Sequence, residues 1–374
     1  MKETNWKDPS SYINKVYVDE SCMDFAYTRE ILDRTKLPFT VVPEREQPND
    51  LALDFAANLT RGKRQLFLTK NRGQFFKPCP GTKEYRCCDY QILNTGSNCP
   101  IDCVYCILQA YLNTPWLTHY VNLDVLFNEL DTALGTNQQI MHRIGTGEFT
   151  DSLAIDRLTG LSRLLVERIA GYDNAVLELK TKSAVIENLK DLDHNGKTII
   201  AWSLNSPEIM RSHELRSATL SQRLEAAALC AGWGYKLAFH FDPIIDYPGW
   251  QKGYVDTITQ LYDSVPPESI VWISLGCLRY LPSLKETGVK RFPASRIYFN
   301  EFVVGLDNKQ RYFRPRRVQM YSLLYETLKK KAASNTCIYF CMESDEIWKE
   351  VTGFRTEEKG GLPQMLNDAV KGAQ

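Results

Sequence analysis

The chain has 374 residues, 44% of them apolar and 24% charged, a composition that is typical of ordinary globular proteins. Its formal net charge is zero, which excludes a globally basic nucleic-acid-binding protein, so any basic footprint must be local. No apolar run reaches the roughly 18 residues of a membrane span, and the first residues lack the apolar core of a signal peptide. We therefore expect a cytoplasmic protein that does not bind membranes.

Residues 1–85 are mixed and turn-rich, and they predict an N-terminal lobe. From residue 86 to about 280 the apolar spacing alternates between the periods of strands and helices. Strands are predicted at 90–96, 138–148, 175–182, 197–205, 236–245 and 268–276, and helices at 123–134, 154–171, 220–234 and 253–265. These tandem strand–helix units predict an α/β fold with a parallel, barrel-like sheet, whose chemistry lies at the C-terminal ends of the strands.

Polar and apolar side chains alternate along three of these strands. Because helices must cover the apolar face, the polar residues are predicted to point into the lumen of the barrel. These residues are Glu178, Lys180, Lys182, Ser203, Asn205, His240 and Asp242.

Residues 281–374 form a predicted C-terminal extension. The stretch 295–318 reads as two strands around the turn "GLDNKQ", and a helix, a buried strand and a short helix follow. The hairpin carries several arginines and one lysine, Lys309, interleaved with Tyr312 and Phe313. This pattern is typical of a surface that contacts phosphates and unstacked bases, although a solvated basic hairpin is the alternative.

The eleven cysteines are unevenly distributed, since six of them lie between residues 79 and 106. In a reducing compartment such thiols are metal ligands, catalytic groups or buried apolar residues rather than disulfides. Cys99, Cys103 and Cys106 follow the first predicted strand with the spacing C-x3-C-x2-C. A structural zinc site commonly has four ligands, whereas three thiolates suit a [4Fe–4S] cluster with one iron open to a small molecule.

This triplet resembles the radical S-adenosylmethionine enzymes, whose open iron chelates the methionine part of the cofactor. Tyr105 stands before the third cysteine, where that superfamily commonly has an aromatic residue. The segment "GTGEF" (145–149) resembles its glycine-rich, acidic segment. Gly145 and Gly147 would permit close backbone approach, and Glu148 would accept a hydrogen bond from the cofactor's amino group.

The stretches "CVYCILQAYL", "DSLAIDRLT", "HNGKTIIAWSLN" and "QRLEAAALCAGWGY" are similar to the spore photoproduct lyase family over about residues 90–345. The resemblance implies a partial (β/α)6 barrel, a reductant such as flavodoxin or ferredoxin, and repair of a methylene-bridged thymine dimer in DNA. A C-terminal hairpin would wedge into the duplex. The implied cluster ligands are Cys99, Cys103 and Cys106. The implied cofactor-binding residues are Tyr105, Gly145, Gly147, Glu148, Lys182, Ser203, Asn205 and Asp242, and the implied nucleic-acid contacts are Lys309, Arg311, Tyr312 and Arg314.

The sequence departs from the family at two positions. Glu148 stands where the family keeps the cysteine that returns a hydrogen atom, and Ile107 stands where it keeps the tyrosine that assists that cysteine. We therefore expect radical initiation with an altered hydrogen-return step, and Tyr105 and Cys277 are candidate catalytic residues. Cys79, Cys87 and Cys88 could form a second metal site, replace the hydrogen donor or be plain buried thiols.

Three hypotheses follow from these residues. The first is a lyase-like enzyme that acts on nucleic acid. The second is a radical enzyme on the same scaffold that acts on a small molecule, nucleotide or peptide. The third is a non-catalytic nucleic-acid-binding protein that keeps the cluster for structure, and both the open-iron spacing and "GTGEF" argue against it.

Overall fold

The computed structural model describes residues 6–48, 54–82, 84–136 and 138–373. Its strands are β1 (Lys15–Asp19), β2 (Phe39–Val42), β3 (Gln65–Thr69), β4 (Phe76–Pro78), β5 (Gln91–Leu93), β6 (Gly96–Ser97), β7 (Asp102–Cys103), β8 (Leu117–Tyr120), β9 (His142–Gly145), β10 (Ala175–Thr181), β11 (Thr198–Ser203), β12 (Glu214–Leu215), β13 (Lys236–Ile244), β14 (Ile270–Cys277), β15 (Arg279–Tyr280), β16 (Phe302–Val304), β17 (Gln310–Tyr312) and β18 (Cys337–Phe340).

Its helices are α1 (Ala26–Thr35), α2 (Phe55–Gly62), α3 (Leu108–Tyr111), α4 (Leu123–Thr136), α5 (Asp156–Thr159), α6 (Leu161–Ile169), α7 (Pro207–His213), α8 (Leu220–Gly232), α9 (Trp250–Ser264), α10 (Pro282–Arg291), α11 (Arg314–Lys329), α12 (Asp345–Thr352) and α13 (Leu362–Ala373). Within the described ranges, none of these helices has the length and apolarity that a membrane crossing requires.

The larger sheet has the strand order β18-β14-β13-β11-β10-β9-β5-β4, and all of its pairings are parallel except that of β4 with β5. Strands β10, β11 and β14 are buried almost throughout because helices cover one face, which is why their sequences are rich in β-branched and apolar residues. The register sets Ser203 beside His240, and His240 beside Ser274. Polar side chains of neighbouring strands therefore stand abreast on the inner face.

The predicted α/β partial barrel is confirmed, but its elements cross the predicted boundaries at residues 85 and 280. Strand β4 comes from the predicted N-terminal lobe, and β18 comes from the predicted extension, yet both belong to the larger sheet. A second sheet of order β2-β1-β3-β8-β6 takes β6 and β8 from beyond residue 85. The sheets are thus assembled from segments that are distant in the sequence.

One predicted helix is divided in two. The stretch 154–171 forms α5 and α6, with Gly160 between them at a φ of +62°, a left-handed conformation that glycine adopts without strain. A single 3-10 turn, Glu187–Leu189, follows β10.

The two edges of the larger sheet meet at a seam. The backbone N–H of Arg86, in the loop after β4, donates to the carbonyl of Glu343, just after β18 (3.0 Å), and the two residues form an isolated antiparallel bridge. The Arg86 guanidinium reaches the carboxylates of Asp345 and Glu357. This seam holds the curled sheet together around a central cavity.

Candidate active site

A cavity of about 390 Å³ opens at the C-terminal ends of the parallel strands. Polar side chains from four neighbouring strands, or from the turns that follow them, line it. They are Glu178, Lys180, Lys182, Ser203, His240, Asp242 and Ser274. The prediction that the polar faces of these strands point into a common lumen is therefore confirmed for every predicted residue except Asn205.

A buried hydrogen-bond network forms the floor of the cavity. The carboxylate of Glu178 contacts His240 Nε2 (2.7 Å) and accepts a hydrogen bond from Trp272 Nε1 (3.0 Å), while His240 Nδ1 contacts the Ser274 hydroxyl (2.7 Å). Burial alone would raise the pKa of Glu178. The neighbouring His240 imidazole and Lys180 ammonium outweigh that effect and lower this pKa to about 2. Glu178 is therefore an anion at neutral pH.

The segment after β9 folds tightly against this floor. A side chain at Gly145 would collide with the Tyr90 hydroxyl, and a Cβ at Gly147 would lie 2.9 Å from Lys180 Cβ. Both glycines are thus required for close approach, as the sequence predicts, although the groups they approach are protein side chains. Glu148 accepts a hydrogen bond from Lys180 Nζ (2.8 Å). Burial opposes the charge on Lys180, but Glu148 and Glu178 together raise its pKa.

Asp151 fixes the end of this segment to β10. One carboxylate oxygen, Oδ2, accepts a hydrogen bond from the backbone N–H of Lys182 (2.8 Å), and the other, Oδ1, accepts one from the Thr181 hydroxyl (2.6 Å). Asp151 also lines the cavity.

Cys99, Cys103 and Cys106 line the same cavity. Their loop is fixed by the buried Lys63, whose ammonium donates to the carbonyls of Cys99 (2.7 Å) and Ile101 (3.1 Å). Burial raises the pKa of the Cys99 and Cys103 thiols well above the ordinary value, and the Lys182 ammonium opposes this shift at Cys103.

These residues fit an iron–sulfur cluster. A short loop presents three soft ligands to one cavity, and its backbone is held from behind. Among the described residues, no three His, Cys, Asp or Glu side chains are arranged to hold a single metal ion. A structural zinc site commonly has four ligands, whereas this loop supplies three thiols, which suits a cluster with one open iron better than it suits zinc.

Tyr105 lies next to the triplet, and its hydroxyl is held by a buried carboxylate. The hydroxyl donates to Glu214, which also accepts from Arg223 Nη2 (2.5 Å). Arg223 Nη1 donates to the carbonyl of Ser203 (2.6 Å) and so ties the triplet side of the cavity to β11. Glu214 and Arg223 are both fully buried.

Asp242, at the end of β13, is paired with Arg279 (3.0 Å), and both residues line the cavity. Burial would lower the pKa of Arg279, but Asp242 raises it well above the usual value. The same guanidinium donates to Cys341 Sγ (3.4 Å), just after β18. Asp242 is thus connected to the seam.

Three residues predicted for cofactor binding or catalysis do not line the cavity: Gly145, which packs against Tyr90, and Asn205 and Cys277. The Asn205 amide donates to the carbonyl of Pro243 (2.9 Å), and its oxygen accepts from the Tyr254 hydroxyl (2.6 Å), because the chain turns away from the lumen after β11. Cys277 is buried at the end of β14, and its backbone N–H donates to the Tyr321 hydroxyl (2.9 Å). The thiol of Cys277 is not part of the cavity wall, which removes the basis for choosing it as a hydrogen donor.

The hairpin of β16 and β17 is confirmed, but two of its predicted contact residues point inward. Strand β17 is the central strand of a small sheet, β15-β17-β16, so its side chains are covered. Arg311 is 3% exposed and paired with Asp307 (2.7 Å), and Tyr312 is 1% exposed and accepts a hydrogen bond from the backbone N–H of Asp246 (3.0 Å). The structure therefore does not offer these two side chains to a nucleic acid.

The remaining hairpin cations also have acidic partners. Lys309 lies 3.4 Å from Asp307 and lines the cavity, while Arg314 opens helix α11 and is paired with Glu350 (2.8 Å). Arg314 is exposed, and the hairpin also exposes large apolar side chains. These apolar residues are Val303, Val304, Leu306 and Phe313.

Comparison with known proteins gives one consistent result. The family model described as "Spore photoproduct lyase" matches residues 13–349. The chain belongs to the spore photoproduct lyase family. It is 29% identical to the spore photoproduct lyase of Geobacillus over 209 residues, which cover 55% of this chain and 61% of that protein. It is 23% identical to the lyase of Clostridium acetobutylicum over 291 residues, which cover 76% and 83% of the two chains.

The fold agrees with solved structures of spore photoproduct lyase. A cysteine-to-alanine mutant with dinucleoside spore photoproduct superimposes with a TM-score of 0.79 at 21% identity, covering 89% of this chain and 99% of that one. A double mutant with bound AdoMet (S-adenosylmethionine) and the same dinucleoside gives the same values.

Within this spore photoproduct lyase family scaffold, both departures lie at the cavity. Glu148 and Ile107 line it, so neither position has moved out of reach of a substrate. Ile107 immediately precedes helix α3 and follows Cys106 directly.

Sequence reasoning missed several residues that position this site. Lys63, Asp151, Glu214, Arg223 and Arg279 all act through partners that are distant in the chain. Only Arg223 gives a signal in the sequence. It is a charged residue among the apolar residues of the buried face of α8. Lys63 and Asp151 lie in connecting segments, and Glu214 and Arg279 lie in the two-residue strands β12 and β15. Charged residues are ordinary in such places.

Proposed function

We propose that this protein is a radical AdoMet enzyme that repairs the methylene-bridged thymine photoproduct in DNA, with an altered hydrogen-return step. The observation that carries the proposal is that Cys99, Cys103 and Cys106 line one cavity together with the polar side chains of the strand ends. Cys99, Cys103 and Cys106 would hold a [4Fe–4S] cluster. With AdoMet, that cluster supplies the radical that abstracts a hydrogen atom from the substrate.

The chain's own residues bind and orient the reactants in this proposal. Glu148 accepts a hydrogen bond from the amino group of AdoMet, and its hydrogen bond from Lys180 (2.8 Å) orients the carboxylate at the cavity wall. Gly147, Lys182, Ser203 and Asp242 line the remainder of the pocket around the cofactor. The mostly apolar wall of the cavity limits the access of water to reactive intermediates.

Spore photoproduct would enter from the side of the hairpin. The exposed apolar residues Val304 and Leu306 lie at its turn, where they can insert between base pairs. Because Arg311 and Lys309 are paired with Asp307, this contact relies on apolar wedging more than on phosphate charge. A one-electron protein carrier of the flavodoxin or ferredoxin class would reduce the cluster.

The internal pairing of the hairpin cations also favours a second candidate, the same radical chemistry on a small molecule, nucleotide or peptide. Such a substrate needs no surface that follows the phosphate backbone of a duplex. The neutral net charge of the chain agrees with this alternative.

One experiment distinguishes the two candidates. The cluster is reconstituted anaerobically, reductant and AdoMet are added, and 5′-deoxyadenosine and thymine are quantified with intact DNA and with photoproduct-containing DNA. We expect both products to rise with the damaged DNA. Cofactor cleavage that ignores damaged DNA, with no thymine restored, would favour the second candidate, and no cleavage under any condition would eliminate both.

A further inference from the structure

Four cysteines outside the cluster-binding triplet line the cavity at its seam. Cys79 follows β4 and Cys87 and Cys88 precede β5 at one edge of the larger sheet, whereas Cys341 follows β18 at the other edge. We call Cys79, Cys87, Cys88 and Cys341 the seam cysteines. All four are free thiols and partly exposed.

The backbone holds these thiols in place from both edges. The N–H of Cys79 donates to the carbonyl of Tyr90 (2.8 Å), and the Arg143 guanidinium donates to the carbonyl of Cys88. On the other edge, the N–H of Cys341 donates to the carbonyl of Leu275 (2.9 Å). The bridge between Arg86 and Glu343 then brings the two edges together.

The seam cysteines also contact one another. The thiol of Cys87 lies within hydrogen-bonding reach of those of Cys79 and Cys88. Gly81 makes room for it, since a Cβ there would lie 2.9 Å from Cys87 Sγ. Hydrogen bonds from its two neighbours lower the pKa of Cys87, whereas burial raises the pKa of Cys341 to about 12. Cys341 therefore keeps its S–H bond at neutral pH.

The seam adjoins the residue that occupies the family's donor position. The carboxylate of Glu148 interacts electrostatically with both Cys79 and Cys341, and it lines the same cavity. The seam cysteines thus flank the site from which a thiol is missing. A carboxylate cannot donate a hydrogen atom, but a neighbouring protonated thiol can.

A tyrosine hydroxyl stands next to the same thiols. The hydroxyl of Tyr90 is buried against Gly145, and it faces Glu178 without a well-aligned hydrogen bond. Tyr90 also interacts electrostatically with Cys88. A buried tyrosine therefore lies beside a thiol at the seam. At the position after the third cluster cysteine, where the family has a tyrosine, this chain has Ile107.

We propose that the seam cysteines, with Cys341 as the first candidate, return the hydrogen atom to the substrate, an assignment that rests on the proposed function. The S–H bond breaks homolytically and a C–H bond forms at the methylene carbon of the opened dimer, which leaves a sulfur-centred radical. A one-electron carrier of the flavodoxin or ferredoxin class then supplies an electron, and solvent supplies a proton, to restore the thiol.

The test compares wild type, each single seam variant (Cys79→Ala, Cys87→Ala, Cys88→Ala and Cys341→Ala), the fourfold variant and the control Cys277→Ala. Thymine, 5′-deoxyadenosine and deuterium in the thymine methyl group are measured on photoproduct DNA in D2O. We expect wild type and Cys277→Ala to form thymine that carries solvent deuterium. We expect the fourfold variant to lose thymine at least about tenfold while it still cleaves AdoMet, with Cys341→Ala the most affected single variant.

Several outcomes would overturn the assignment. If the fourfold variant formed deuterated thymine at the wild-type rate, the seam cysteines would not be the donor. If wild type formed neither thymine nor 5′-deoxyadenosine, the proposed function would fail and the assignment with it. Iron or zinc bound to a Cys99→Ala/Cys103→Ala/Cys106→Ala variant, and lost on removal of the seam thiols, would make the seam a metal site instead. Iodoacetamide is also added to the apoproteins of wild type and of each single variant, and mass spectrometry identifies the alkylated seam thiols. This checks that the seam thiols that remain are accessible in the folded protein.

Discussion

Two carboxylates in the cavity differ because their surroundings differ. Glu178 is buried and hydrogen-bonded on the floor, whereas Glu148 is half-buried and contacts Lys180 at the side where the family has its donor thiol. The first is a structural anion, and the second is placed to contact a ligand. The residue type alone does not distinguish these roles, but the partners do.

Glu178 gives a prediction on pH-dependent stability. We expect Glu178→Gln to lower the free energy of unfolding by about 3 kcal/mol at neutral pH, because His240 and Trp272 lose a buried charged partner. The folded-state pKa of Glu178 is lowered from 4.5 to about 2, so its contribution is present above the higher value and is lost as the pH falls toward the lower one. The difference in unfolding free energy between wild type and variant, measured by urea titration, should therefore decrease as the pH falls over this range.

The exposed Glu167→Gln is the control, and its unfolding free energy should match that of wild type at every pH. If the difference in unfolding free energy between wild type and Glu178→Gln stayed constant down to the lower pKa, that result would argue against a charged Glu178.

The cluster ligands give a second prediction at this scale. We expect Cys103→Ala to abolish the brown iron–sulfur absorbance and the bound iron after anaerobic reconstitution, because two thiolates alone hold a cubane poorly. Cys230→Ala removes an equally buried thiol from α8, away from the cavity, and should leave the spectrum unchanged. An unchanged spectrum for Cys103→Ala would refute the ligand assignment.

At the scale of elements, the hairpin shows how the position of a strand decides the meaning of its sequence. The alternation in "KQRYFR" reads as a basic, aromatic surface when the strand is assumed to lie at an edge. Strand β17 instead lies between β15 and β16, so Arg311 and Tyr312 are enclosed. The central position of β17 depends on its pairing with β15. That strand is distant in the sequence and only two residues long, so the sequence gives little sign of it.

The hairpin prediction follows from this placement. We expect Leu306→Asp, at a side chain that is 73% exposed, to weaken binding of photoproduct DNA about tenfold with little change in stability, because a charge cannot enter the base stack. Arg311→Glu should instead destabilise the fold by several kcal/mol, since it sets a buried carboxylate against Asp307. Fluorescence anisotropy and thermal melts measure the two effects.

Arg314→Glu is the surface control for this pair. Its charge is exposed and already paired with Glu350, so we expect a small loss of affinity and a slightly shallower salt dependence. Strong loss of binding in Arg314→Glu, with none in Leu306→Asp, would mean that phosphate contacts outweigh the apolar wedge.

At the scale of the whole molecule, local patterns predicted the elements better than their assembly. The period of two along β10, β11 and β13 gave the lumen-facing residues, because a polar face that parallel strands share is a repeated local signal. The pairing of Glu214 with Arg223 and the entry of β18 into the sheet join distant segments, so no local pattern records them. The four seam cysteines likewise come from distant segments, since Cys79, Cys87 and Cys88 precede the cluster-binding triplet and Cys341 lies in the predicted C-terminal extension.

The closure of the seam therefore gives a prediction for the molecule as a whole. Arg86 joins the loop after β4 to the segment after β18 through Asp345 and Glu357, and its exposed ion pairs contribute only about 1 kcal/mol to stability. We expect Arg86→Ala to loosen the seam locally and so to raise the alkylation rate of Cys87 and Cys88, while the melting temperature changes little.

The control Arg157→Ala removes an exposed arginine that likewise contacts two carboxylates, Asp8 and Glu187, far from the seam, and it should leave thiol reactivity unchanged. If the seam cysteines return the hydrogen atom, Arg86→Ala should also form less thymine for each AdoMet cleaved, because the thiols no longer keep a fixed position beside the cavity. Hydrogen exchange locates the loosening, since it should rise at 84–89 and 341–345 alone. Equal alkylation rates in Arg86→Ala and wild type would show that the backbone bridge to Glu343 holds the seam without the guanidinium.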